Sequence, residues 1–398
     1  MCAVTRTPVR PKPQIPVLWD RECRNNPIAL TTVNGIQKMS RARGYGVNLY
    51  ESCDELLSQA GNEKHVIVVG FESASMQPIL QALSAAGKRI VLTGIDTDHI
   101  DAHYSCATFS RRLSTEQLLD HLLEKGCRHI ALVGVGKHSS NDSVHSYAFL
   151  QYLAKQPMAE GECFEYTARV DESFDAFNIC RKHFDAVICP NAFVAVAFLQ
   201  FCEEKGIAVP GDLMVACIKD TRLARFCRPS LTTLAVDFYG IGQQAVVVWQ
   251  YLRENPEENY RMRIAVLGQV IGRESTGLTL PGASAIASSS GALDKDYQGG
   301  PFYSDPKMRD MVLLEKCFQG CDPLDLRLIG MLTKNLPYEK IAEEVYLGDS
   351  TLQYRVRKLF HAVNVKSRRD FLSFFKRCMT NDHHLNEEDS AFPEAGSF

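Results

Sequence analysis

From Ile15 to about Gly277 the chain alternates short, nearly uninterrupted apolar runs with longer amphipathic stretches. The runs Ile15–Trp19, Val47–Tyr50, His65–Gly70, Arg89–Thr93, His129–Val133, Asp185–Cys189, Leu213–Ile218 and Ala265–Ile271 predict strands. The stretches Ile28–Arg43, Leu113–Lys125, Phe193–Lys205 and Tyr239–Arg253 predict helices. Apolar β-branched runs separated by helices of about ten residues or more are what a parallel sheet covered on both faces requires. Gly44, Gly87, Gly126 and Gly206 each stand where a helix stops and a strand follows, a place suited to a left-handed cap. The expected class is α/β, doubly wound. About ten such units exceed one comfortable sheet, so two lobes with a cleft between them are expected.

After Gly277 the texture turns small and polar, through Ser288-Ser-Ser-Gly291 to Gln298-Gly-Gly-Pro301, as in an interdomain linker. The expected organisation is a tail over 1–14, a two-lobed sensor over 15–278, a flexible linker over 279–306, an all-α helix-turn-helix unit over 307–380 and an acidic disordered tail over 381–398. In the helical unit Met308–Phe318 reads as one helix. Asp322-Pro323-Leu324-Asp325 then supplies a cap, a first-turn proline and a first-turn acid for a helix reaching Lys334. Ile341, Ala342 and Val345 mark a short helix, and Gly348-Asp349-Ser350 opens another that has Leu352, Val356 and Leu359 at core spacing.

Charge sharpens this picture only locally. The net charge of −3 excludes a uniformly basic coat, yet Arg355, Arg357, Lys358, Lys366, Arg368, Arg369, Lys376 and Arg377 face a single acid, Asp370, over that span. Two helices joined by a tight turn, the second carrying basic and amide side chains, suit a major groove. Apolar residues at 45% and charged residues at 23% are ordinary for a globular protein. No apolar stretch reaches the ~20 residues needed to span a bilayer, and the first residues lack a signal-peptide core, so no membrane contact and a cytoplasmic location are expected. The 14 cysteines include no Cys-x-x-Cys and are expected as reduced packing residues, Cys317 and Cys321 included.

Asp322-Pro323-x-Asp325, Ile341-Ala-Glu-Glu344, Ser350-Thr-Leu352 and Val365-x-Ser367-Arg368 together resemble a LuxR-type helix-turn-helix, with Lys340 and Gly348 departing from the usual Glu and Ser. The resemblance implies that the third helix enters the groove and that a fourth, Ser367–Arg377, supports dimerisation. The implied DNA-binding residues are Ser350, Thr351, Gln353, Tyr354 and Arg355 toward base edges, and Arg357, Lys358, Arg368 and Arg369 toward phosphates.

The stretch Phe198-Leu-Gln-Phe-Cys-Glu-Glu-Lys-Gly-Ile-Ala-Val-Pro-Gly-Asp-Leu213 resembles the effector-binding domain of the lac and galactose repressor family, which has the periplasmic-binding-protein fold. Asp220 to Pro229, Leu231-Thr-Thr233, Gly272-Arg-Glu-Ser-Thr-Gly277 and Gly126-Cys-Arg-His-Ile-Ala131 extend the match over nearly the whole sensor. That family's own DNA-binding domain has no counterpart before Ile15, which implies that DNA reading has moved to the other end. Ligands of open α/β sheets sit beyond the carboxyl ends of strands. The candidate pocket residues are therefore Asp20, Arg21, Phe71, Glu72, Ser110, Arg111, His145, Asn191, Phe193, Lys219 and Asp220. Against the family's sugar-binding pattern, Lys219, Ser110 and Ala192 replace acidic groups and His145 replaces an Arg. These exchanges favour an anionic ligand such as a sugar acid or sugar phosphate over a neutral sugar, the plain alternative being a pocket that has lost its ligand.

Other chemistry finds less support. Asp96-Thr-Asp-His-Ile-Asp-Ala-His103 has metal-ligand residue types but reads as a polar loop, and Gly134-x-Gly136-Lys137 lacks the spacing of a phosphate loop. No metal, no cofactor and no catalytic constellation are expected, so the chain reads as a regulator rather than an enzyme. Its partners are expected to be double-stranded DNA, a small-molecule effector and a second copy of itself. The alternative is a cytoplasmic solute-binding or enzyme-like α/β protein whose terminal helices mediate assembly.

Overall fold

The computed structural model describes residues 13–19, 27–70, 73–93, 104–257, 261–277 and 305–379. The chain begins with β1 (Gln14–Trp19), α1 (Pro27–Ala42), β2 (Gly46–Tyr50), α2 (Cys53–Gln59), β3 (His65–Val69), α3 (Ser73–Ala85), β4 (Arg89–Thr93) and β5 (Ser105–Thr108). It continues with α4 (Arg111–Glu124), β6 (His129–Gly136), α5 (Ser140–Leu153), β7 (Glu160–Tyr166), α6 (Asp171–Cys180), β8 (Ala186–Cys189), α7 (Ala192–Glu204), β9 (Met214–Ile218), α8 (Arg222–Phe226) and β10 (Thr232–Ala235). Then come α9 (Phe238–Glu254), β11 (Arg263–Ala265), β12 (Gln269–Ile271), α10 (Pro306–Gln319), α11 (Pro323–Thr333), α12 (Tyr338–Val345), α13 (Asp349–Ala362) and α14 (Arg368–Cys378). The chain divides into two units, Met1–Ser110 with Asp237–Val266, and Arg111–Val236 with Leu267–Phe398.

The first unit holds a six-stranded parallel sheet in the order β11-β5-β4-β3-β1-β2. Its central strand β3 is buried along its whole length, as the apolar run Val66–Val69 after His65 must be in a doubly covered sheet. Helices α1 and α9 cross backbone to backbone. A Cβ on Gly242 would stand 2.0 Å from the Thr32 carbonyl oxygen, and one on Gly35 2.1 Å from that of Tyr239, so both positions require glycine.

The second unit repeats the design with the order β12-β10-β9-β8-β6-β7, parallel except for the β10–β12 pair. Helices α4 and α5 contribute to the core on one face, and α6 and α7 to that on the other. The latter core runs on without a break into the terminal helices, where Met308, Phe318, Leu332, Phe371 and Phe375 join Phe198 and Phe226.

Three expectations need correction. Ala265–Ile271 is not one strand but parts of two, β11 and β12, which pair in different sheets. Strands β5, β7 and β10 were not expected from the pattern. The first and last have four residues each, and β7, at the sheet edge, carries three glutamates and a glycine among its seven residues. The expected linker closes earlier than residue 306, because Asp305 caps α10 and Pro306 is its first residue. Its remainder, the tail over 381–398 and the Asp96 to His103 loop lie mostly or wholly outside the described residues.

Candidate functional site

In the second unit the carboxyl ends of β6 and β9 and the starts of α4 and α5 bring together Arg111, Asp142, His145 and Lys219. Lys219 follows β9 directly and holds a left-handed backbone, φ 71°, unusual for a residue with a side chain and costly to keep. Its amide bonds the Leu234 carbonyl at 3.0 Å. Burial, followed by the Arg111 charge, pushes its ammonium down to about 8, with Asp142 pulling the other way. No hydrogen bond or ion pair to a described residue holds that ammonium, and Asp142 is the opposite charge that acts on it.

Asp142 sits in the first turn of α5, where Ser139 accepts its amide at 3.2 Å, and Asp142 Oδ2 accepts from the Gly136 amide at 2.9 Å. Burial raises its carboxyl above the usual range against the opposing pull of that amide, Lys219, Ser139 and Arg111. His145, also on α5, is buried, and burial with two neighbouring cations keeps its imidazole neutral. The Thr115 hydroxyl gives its proton to the Arg111 carbonyl at 2.9 Å, so it accepts from His145 Nδ1, also at 2.9 Å. That assigns the Nδ1–H tautomer and leaves Nε2 as an acceptor. The site therefore offers two cations, one carboxyl group and one acceptor, and it suits a ligand that carries an anionic group and a hydroxyl.

The other expected pocket residues are placed differently. Asp220 is spent on structure: its side chain, 2% exposed, meets Arg225 at 2.6 Å and Arg273 at 2.8 Å and accepts from the Thr233 hydroxyl at 3.0 Å. Burial alone would raise that carboxyl, but Arg273 and Arg225 hold it below the ordinary aspartate value. Asn191 caps α7 by accepting from the Val194 amide at 3.0 Å, and Phe193 packs against the core. Ser110, half-buried, closes the first segment of the first unit. Asp20, Arg21, Phe71 and Glu72 lie outside the described residues. Gly134, φ 86°, marks a register shift in β6 against Val194, which gives its glycine a structural reason. Asp142 and Thr115 were not among the expected residues. The Ser139-x-x-Asp142 spacing at a helix start was the only signal for either.

In the terminal helices, Asp322 and Asp325 form a capping box for α11. Tyr346, left-handed at φ 53°, ends α12, and after Leu347 and Gly348 the chain enters α13. Ser350, Thr351, Gln353, Tyr354, Arg357 and Lys358 are exposed on α13, Tyr354 to 71%. Arg355 bonds Asp322 at 2.8 Å and Asp325 at 2.7 Å, and Lys358 bonds Asp325 at 2.9 Å and the Gly320 carbonyl at 3.2 Å. Those two residues, expected at bases and phosphates, are thus held within the helical unit by a buried carboxylate. Arg368 donates to the Leu336 carbonyl at 2.5 Å and lies 5.0 Å from the Tyr338 ring centre. Arg369 is exposed, and with Arg368 and Lys376 it lines a recess of about 460 Å³ beside Thr333 and Asn335.

Among the described residues no helix is long and apolar enough to cross a membrane, and no group of three metal-ligating side chains occurs. Residues 119–276 match the family described as Periplasmic binding protein-like domain. The chain is similar to catabolite control protein A of Staphylococcus epidermidis, 24% identical over 46% of this chain and 56% of that one. It is similar also to the HTH-type transcriptional regulator GanR of Bacillus subtilis, 24% identical over 57% of this chain and 70% of that one. Against the first of these, and against the Staphylococcus aureus counterpart, where the share is 47%, the chain spans about half the relative's length. A solved LacI family transcriptional regulator from Weissella paramesenteroides, with bound glucose, superposes with a TM-score of 0.50 at 19% identity, covering 66% of this chain and 97% of that one. These likenesses are to regulators and not to enzymes, and the architecture is an α/β, two-sheet, periplasmic-binding-protein-like fold.

Proposed function

We propose that the chain is a ligand-responsive, DNA-binding transcription regulator that senses a small anionic, sugar-derived metabolite in its second unit and reads DNA with α12 and α13 as a homodimer in the cytoplasm. The observation that carries the sensing half is Lys219, strained, its ammonium without a hydrogen-bonding partner among the described residues and beside Arg111, at the strand ends where open α/β sheets bind ligands. The Weissella regulator's glucose supports a sugar-like ligand, and the two cations here shift the expectation from neutral sugar to sugar acid or sugar phosphate. The reading half rests on the exposed side chains of Thr351, Gln353, Tyr354 and Arg357 after a tight turn. With Arg355 and Lys358 occupied by Asp322 and Asp325, base contact falls to Thr351, Gln353 and Tyr354, and phosphate contact to Arg357 and Arg369. Thermal unfolding against D-gluconate, D-glucose 6-phosphate and their neutral parent sugars tests the sensing half, since a ligand selective for the native state raises Tm. A response to the neutral sugars alone would overturn it.

The second reading, a solute-binding protein whose terminal helices serve assembly, is favoured by the core those helices share with the second unit. DNA affinity that falls steeply with salt decides between the two.

A further inference from the structure

The sensing site and the terminal helices meet across one short segment. Lys219 lies two residues before Thr221, which caps α8 by accepting from the Ala224 amide. The Asp220 clamp on Arg225 and Arg273 makes Lys219 to Phe226 stiff. That segment exchanges helix ends with α10. The buried carboxylate of Glu315 accepts from the amides of Arg222 at 3.2 Å and Leu223 at 2.7 Å, and the Arg222 guanidinium donates to the carbonyls of Phe318 at 2.5 Å and Cys321 at 3.0 Å, where α10 ends. Phe226 packs edge-on against Phe318 with ring centres 5.0 Å apart, and Phe318 against Phe375 of α14 at 6.0 Å.

We infer that Glu315 and Arg222 couple the Lys219 to Phe226 segment to the terminal helices as one lever, so that a ligand at Lys219 sets the placement of α12 and α13 through α10. The inference rests on the function proposed above. Its physical ground is the pairing of a strained residue at the ligand with a clamped, helix-capping contact only three residues further on. Burial raises the Glu315 carboxyl, so losing the two amides it accepts leaves a costly orphan, and a small shift of α8 drags α10 along instead of parting from it. Contacts elsewhere on α10 and α14, Asp305 on the Val170 amide at 3.0 Å and Gln200 on the Arg377 carbonyl at 2.9 Å, supply fixed points about which α10 can turn.

The test uses the full chain, Arg222→Lys, Glu315→Gln, D-glucose 6-phosphate and D-gluconate as probes, and a duplex selected from a random pool by the intact protein. The expected result is a change of about fivefold or more in duplex Kd when the probe saturates the intact chain. In Arg222→Lys the probe should raise Tm as before and the duplex should bind with an unchanged salt slope, but the probe should no longer alter duplex Kd. Glu315→Gln should behave alike, and Arg222→Lys decides if Glu315→Gln fails to fold. An undiminished probe effect in the folded variants overturns the lever, as does an intact chain that binds both probe and duplex with no mutual effect. An intact chain that takes neither probe removes the proposed sensing, and one that takes no duplex removes the proposed DNA reading. Either result removes the lever's input or output and overturns it too, by a signature distinct from that of a failed coupling.

Discussion

Lys219 gathers three peculiarities at one residue: a left-handed backbone, an ammonium held down to about 8, and no hydrogen-bonding partner for that ammonium among the described residues. An anion seated beside it favours the protonated form, so binding draws in a proton, and anion affinity should fall as pH climbs through about 8. Calorimetric titration with D-glucose 6-phosphate on both sides of that value, in buffers of different ionisation enthalpy, reads the proton directly. Lys219→Met should weaken binding and flatten the pH dependence. His145, buried and neutral, should not add a second inflection near its ordinary value. Asp220, by contrast, belongs to stability. Asp220→Ala strands Arg225 and Arg273 half-buried and should cost about 3–5 kcal/mol in urea unfolding. Because its folded carboxyl lies below the ordinary value, its contribution is present above the unfolded pKa and is lost as pH falls through the folded one. From the sequence these neighbours looked equivalent, both polar and both just past a strand. Only the arrival of Arg273, from far along the chain, separates them.

At the scale of elements, long periodic helices and wholly apolar strands were legible, and so were the left-handed glycines Gly44, Gly87, Gly126 and Gly206. What the pattern hid has physical reasons. Four-residue strands such as β5 carry too few positions to show a period, the edge strand β7 alternates with glutamate, and a run split between β11 and β12 has nothing in its hydrophobicity to mark the change of sheet. The site was legible as a set of strand ends, while Asp142 and Thr115 sit on helices and come into play only once α4 and α5 are packed. Helix contact also yields a direct test. Gly242→Ala places a methyl against the Thr32 carbonyl and should destabilise the protein by about 1–3 kcal/mol in denaturant unfolding, with α1 and α9 forced apart. On α13, Gln353→Ala should lower discrimination between cognate and altered duplexes by about 1–3 kcal/mol, whereas Arg357→Ala should weaken all duplexes alike and reduce the salt slope by about one unit. Equilibrium titrations at several salt concentrations separate these outcomes.

For the whole molecule, the terminal helices are neither a loose appendage nor a separable module. Phe318, Phe371 and Phe375 share a core with Phe198 and Phe226, so cutting them away would expose an apolar face on the second unit, and a truncated chain makes a poor control. A two-fold site read by a two-fold protein requires a mass of twice the chain in light scattering with and without duplex, and a monomer in both would contradict the dimer. The central claim, that this chain reads DNA through α13, is met most directly by titrating the intact protein and a Thr351→Ala, Gln353→Ala, Arg357→Ala triple variant against a selected duplex across a range of salt. The substituted side chains are exposed, so the variant should fold as the intact chain does. The expected result is intact-chain binding that weakens steeply with salt and a variant that loses both its sequence preference and about one unit of slope. Equal binding and equal slopes for the two proteins, or no salt-sensitive binding by the intact chain, would contradict it.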